Sequence, residues 1–103
     1  MKKLVKNLSC KLTDPELRKR KEEVLASIKM KVLSKQELSD GYKYEFDGSD
    51  TVLDELVSFI KTERLCCDFF HFSIDIAGDG TSSRLSITGP AGAKDFINTE
   101  LEL

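Results

Sequence analysis

"TVLDELVSFIKTERLCCDFFHFSIDI" runs from Thr51 to Ile76, and its change of period decides the fold. Val52, Leu53, Leu56, Phe59 and Ile60 recur at helical spacing, which predicts a helix over 51–66. From Phe69 onward the period becomes two. Phe70, Phe72, Ile74 and Ile76 point one way, and Phe69, His71, Ser73 and Asp75 the other, as in a strand with one buried face. The preceding "DGSD" breaks a strand, and Ser49 or Asp50 caps the helix.

The same two periods extend in both directions. In "TDPELRKRKEEVLASIK", Thr13 or Asp14 caps a helix over 14–28 and Pro15 suits its first turn. Leu17, Val24, Leu25 and Ile28 share one face of it. Residues 30–47 read as a hairpin: a mixed apolar and β-branched run, the turn "SDG", then "YKYEF" with Tyr42, Tyr44 and Phe46 alternating. Downstream of Ile76, "AGDGTSS" is a loop and "RLSIT" a strand with Leu85 and Ile87 inward. "GPAG" breaks the chain before a short helix over 91–99, and Leu4–Leu12, with Cys10, reads as a short strand or extended arm.

The order α-β-β-α-β-β-α, with short connections inside each strand pair, predicts an α+β two-layer sandwich. An antiparallel sheet of four to five strands carries the helices on one face. The other face holds Lys43, Glu45, His71, Ser73, Asp75, Arg84, Ser86 and Thr88. Such a face is solvated, forms a groove, or makes a homodimer contact through the sheet.

A chain of 103 residues, 40% hydrophobic and 33% charged, is expected to be a single domain with one modest core. The net charge of −2 gives no general attraction to nucleic acid or to an anionic membrane. The basic run Arg18–Lys21 is followed at once by Glu22 and Glu23, as on a solvated helix face. No segment approaches the roughly 18 apolar residues of a membrane span. The N-terminal "MKKLVKNLSCKL" lacks the apolar run of a signal peptide. A cytoplasmic location follows as an expectation, with the three cysteines as thiols.

Most of the metal-binding and nucleophilic chemistry is crowded into "ERLCCDFFHF", Glu63–Phe72, which holds Cys66, Cys67 and the single histidine, His71. Three readings stand side by side. In the first, the thiols are structural: Cys66 lies seven residues after Phe59 and Cys67 seven after Ile60, so both extend the buried helix face. In the second, Cys66, Cys67 and His71, completed by Cys10 or Asp68, hold a soft metal ion. Adjacent side chains diverge by about 100° on a helix, so chelation needs an irregular backbone at the junction. In the third, a cysteine is reactive. A helix C-terminus disfavours a thiolate, and Glu63 and Asp68 push the same way. "TGPAGAKDF" is neither a phosphate loop nor a dinucleotide fingerprint.

"ERLCCDFFHFSIDI" followed by "LSITGPAGAKDFI" resembles a family of small, mostly uncharacterised bacterial proteins. Their pattern is close to E-R-x-C-C-P-F-x-x-F, then L-x-L-T-G-P-x-G-x-K-x-F. Cys10 with Leu12, and Asp40-Gly41-Tyr42 with Phe46, extend the likeness over most of the chain. Similar segments accompany regulators of the mercury-resistance type, so the resemblance implies at most a link to soft metals. The chain departs from the pattern at Asp68, where the family has proline. Proline would stop the helix sharply; Asp68 permits a different helix end and adds a carboxylate beside the thiols.

Together these features predict a small cytoplasmic accessory or interaction domain, with thiol-based soft-metal binding through Cys66 and Cys67 as its sharper form. A small enzyme or enzyme subunit that uses the polar sheet face as a groove is the alternative.

Overall fold

The computed structural model describes residues 14–103. Cys10 and the expected arm or fifth strand over Leu4–Leu12 lie outside the described residues, as does the side chain of Cys66. The elements are α1 (Pro15–Lys31), β1 (Ser34–Leu38), β2 (Gly41–Phe46), α2 (Asp50–Cys66), β3 (His71–Ile76), β4 (Ser83–Thr88) and α3 (Ala93–Phe96), which continues as a π-helical turn over Ile97–Leu101. This is an α+β fold in the order α-β-β-α-β-β-α.

Each long helix starts where a side chain satisfies free backbone donors. The Asp14 carboxylate accepts from the N–H groups of Glu16 and Leu17 at 2.9 and 3.3 Å. Ser49 Oγ accepts from Val52 N–H at 3.3 Å, and the Asp47 carboxylate in turn accepts from Ser49 N–H at 2.8 Å. Such caps contribute about 1 kcal/mol each. Helix α1 runs three residues past the expected 28, through Lys29, Met30 and Lys31, which are good or tolerable helix formers. The hairpin therefore begins later than expected, at Ser34.

The strands form one antiparallel sheet in the order β1-β2-β4-β3. The first position of β2 requires glycine because β4 approaches it closely. A Cβ on Gly41 would lie 1.8 Å from the carbonyl oxygen of Ile87 and 2.8 Å from Thr88 Cα, both backbone atoms of the paired strand. Both long helices lie on one face of the sheet. Leu25 and Ile28 of α1 and Val52, Leu56 and Phe59 of α2 meet Tyr44, Phe46, Leu85 and Ile87, all buried. Ser27 and Lys31 of α1 donate to the Glu55 carboxylate of α2 at 3.0 and 2.7 Å.

Two local expectations change. The aromatic strand begins at His71 rather than Phe69. Asp68 and Phe69 form a turn closed by a 3.3 Å bond from Phe70 N–H to the Cys67 carbonyl. Phe69 thus leaves the polar face and stacks edge-on against Phe96 at 5.2 Å. The final helical segment runs from Ala93 to Leu101, two residues later than the expected 91–99. It starts after Gly92, whose φ of 95° suits glycine, and it widens into the π turn after Phe96. Phe96, Ile97 and Leu101 close the end of the core.

Candidate functional site

The C-terminal half of α2 gathers the chemistry. Position 63 lies four residues after Phe59 and seven after Leu56, so the helical period turns Glu63 inward. Glu63 is 0% exposed, and so is Cys67 one turn later. The Cys67 N–H donates to the Glu63 carbonyl at 2.6 Å and closes the helix, after which the backbone leaves helical geometry at φ −124°, ψ 72°. From α1, Lys21 reaches across so that its Nζ lies 3.7 Å from Glu63 Oε2. The basic run expected on a solvated face therefore sends one ammonium inward, its side chain only 15% exposed.

Burial pushes the Glu63 carboxyl up from its ordinary range, against the pull of the Lys21 ammonium and the nearby Cys67 thiol. Burial also pushes the Cys67 thiol up, to about 12, and the Glu63 charge adds to the effect. At neutral pH such a thiol is ionised in roughly one molecule in a hundred thousand. The thiolate is the nucleophile, so the burial of Cys67 disfavours nucleophilic attack from the folded chain.

His71 lies elsewhere. It is exposed at the start of β3, paired with Thr88, on the face opposite to that of buried Ile87 and of Phe72. Its surroundings are a hollow of about 500 Å³ lined by Ile60, Arg64, Asp68, Phe70, His71 and Phe72, beside the outer edge of β3. The sealed Cys67 does not line it. Among the described residues no three His, Cys, Asp or Glu side chains stand together as a metal-binding group. Of the expected set Cys66, Cys67, His71 and Cys10, the residues whose side chains are described are a buried thiol, Cys67, and an exposed imidazole, His71.

The second concentration of polar groups is the sheet face that no described helix covers. The register aligns Gly41, Thr88 and His71 in one row, Lys43, Ser86 and Ser73 in the next, and Glu45, Arg84 and Asp75 in the third. None of the eight residues expected on this face is buried. Arg84 sits between two carboxylates, 4.0 Å from Glu45 and 4.0 Å from Asp75.

No protein family, curated protein or solved structure matches this chain. The residues themselves therefore carry the functional argument.

Sequence reasoning missed the pairing of Glu63 with Lys21. The signal for Glu63 was present: its position continues the buried stripe of α2. Nothing in the sequence marks Lys21, rather than Arg18 or Lys19, as its partner, because that choice depends on how α1 crosses α2.

Proposed function

We propose that this chain is a binding domain without catalysis of its own, which meets its partner through the uncovered face of the sheet. The observation that carries this reading is the row structure of that face. Eight polar side chains, none of them buried, share one face of the sheet, with Lys43 and Arg84 interspersed among Glu45 and Asp75. Mixed charges favour a polar partner of balanced charge over the uniformly anionic backbone of a nucleic acid. No helix among the described residues is long and apolar enough to cross a membrane. The alternative of a thiol-based centre loses support from the burial of Cys67.

The size of the face sets the strength of the contact. Four strands about 4.8 Å apart and about 20 Å long cover roughly 400 Å². A stable interface takes about 800 Å² from each partner. One copy of the face therefore supports a transient contact, as suits an accessory domain.

A photo-crosslinking amino acid at Ser73 or Ser86, in cells that make the protein, tests this reading. Both positions should give a discrete crosslinked species that the same group at Glu23, exposed on α1, does not give. Crosslinking from the sheet positions no stronger than from Glu23 would remove the face as a binding surface.

A further inference from the structure

We infer that β3 is a homotypic docking edge, at which two copies of the chain pair antiparallel to form one eight-stranded sheet. The two outer strands of the sheet are built in opposite ways, and the hydrogen-bond register shows how. Ala77 N–H donates to the Ser82 carbonyl at 3.0 Å, which continues the β3–β4 ladder by one pair. Because antiparallel pairs alternate between bonded and non-bonded, Asp75, Ser73 and His71 turn their backbone groups toward β4. Phe72, Ile74 and Ile76 turn theirs outward. The bond from Gly89 N–H to the Asp40 carbonyl fixes the same alternation from the β2 side.

At the other edge the same alternation directs Lys35 and Glu37 of β1 outward. Lys35 donates to Asn98 and to the Leu103 carbonyl, and Glu37 pairs with Lys94. Charged side chains tied to the C-terminal segment blunt that edge, as in proteins that avoid edge-to-edge association. Edge β3 lacks this protection. Its three outward-facing residues are all apolar, Ile76 is 49% exposed, and among the described residues no strand lies beyond it.

The occupant follows from symmetry. The outward-facing residues are centred on Ile74, so a two-fold axis beside Ile74 sets Ile74 against its own copy and Phe72 against Ile76 of the second copy. Each of these three pairs exchanges two backbone bonds, about six in all. On the helix side, the exposed Ile76 of one copy arrives next to Phe72 of the other, beside the hollow floored by Ile60, Phe70 and Phe72. On the polar side, Asp75 meets Ser73, so no like charges stand directly opposed. An unrelated extended peptide could use the same bonds, but it would not by itself supply an apolar side chain in register with the hollow. Pairing would also double the open face to roughly 800 Å². The dimer itself does not depend on what that face binds.

Sedimentation equilibrium of the full chain, from micromolar to near-millimolar concentration, tests the proposal together with hydrogen exchange at both ends of that range. A monomer–dimer equilibrium is expected, with the amides of Phe72, Ile74 and Ile76 exchanging more slowly as dimer forms. Those of His71, Ser73 and Asp75 should stay protected throughout. Ile76→Lys alters a half-exposed side chain, so the fold should persist while dimer dissociation rises at least tenfold; Ile76→Val should keep the dimer. A monomer at every concentration overturns the proposal. So does a dimer indifferent to Ile76→Lys, or one whose added protection falls on β1 or the open face.

Discussion

Replacing Lys21 by methionine keeps the bulk of the side chain and removes the charge that faces Glu63 across the α1–α2 contact. At 3.7 Å and an effective dielectric near 20, the attraction is worth about 4 kcal/mol before desolvation is counted. Breaking one side of a buried pair ordinarily costs about 3–5 kcal/mol. Glu63 has an escape, however: it can hold a proton. The loss is then capped by the cost of keeping that proton, about 1.36 kcal/mol for each pH unit above the ordinary carboxyl value of 4.5. The cap is about 3 kcal/mol at pH 7 and below about 1 kcal/mol at pH 5. The native carboxyl is already raised, which lowers both figures further. The sign follows from proton counts. The folded chain keeps a proton that the unfolded chain releases above about 4.5, so the stability contributed by neutral Glu63 is lost as pH rises through its folded value. Lys21→Met moves that value higher and deepens the loss. Urea denaturation followed by circular dichroism at pH 5 and pH 7 measures both numbers. In a Glu63→Gln background the Lys21→Met effect should shrink at pH 7, because no buried charge is left stranded. An equal loss at both pH values, or a loss unchanged by Glu63→Gln, would refute the electrostatic account.

Two further outcomes follow from the same geometry. With Cys10 and Cys66 replaced by serine, the Cys67 thiol should react with an aromatic disulfide reagent only as fast as the chain opens, and, measured against the same protein with Cys67→Ala, each pH unit between about 9 and 12 should remove about 1.4 kcal/mol of the stability that the thiol contributes; a burst of reaction in native protein at pH 8 would show that the thiol is not sealed. Gly41→Ala drives a methyl group into the Ile87 carbonyl, so it must separate β2 from β4 and should cost about 2–3 kcal/mol in chemical denaturation; a change below about 0.5 kcal/mol would mean that the strands approach less closely than described.

Periodicity settled what periodicity can reach. The helix over Asp50–Cys66, the two hairpins and the alternation that places Lys43, Glu45, Arg84, Ser86 and Thr88 on one face were all legible, because backbone geometry repeats every 3.6 or 2 residues whatever the chain packs against. The burial of Glu63 was legible in the same way and was overlooked because a carboxylate is rarely placed in a core. Other features depend on distances between elements remote in sequence. The sequence brings Cys67 and His71 within four residues of each other, yet the turn at Asp68 and Phe69 sends one into the core and leaves the other on the open side of the sheet. That Lys21 meets Glu63, that Gly41 must lack a side chain, and that β3 rather than β1 is left as the apolar edge are decided by the crossing of α1 over α2 and the strand order β1-β2-β4-β3. These are consequences of packing, in which every element constrains the others at once, and no local pattern encodes them.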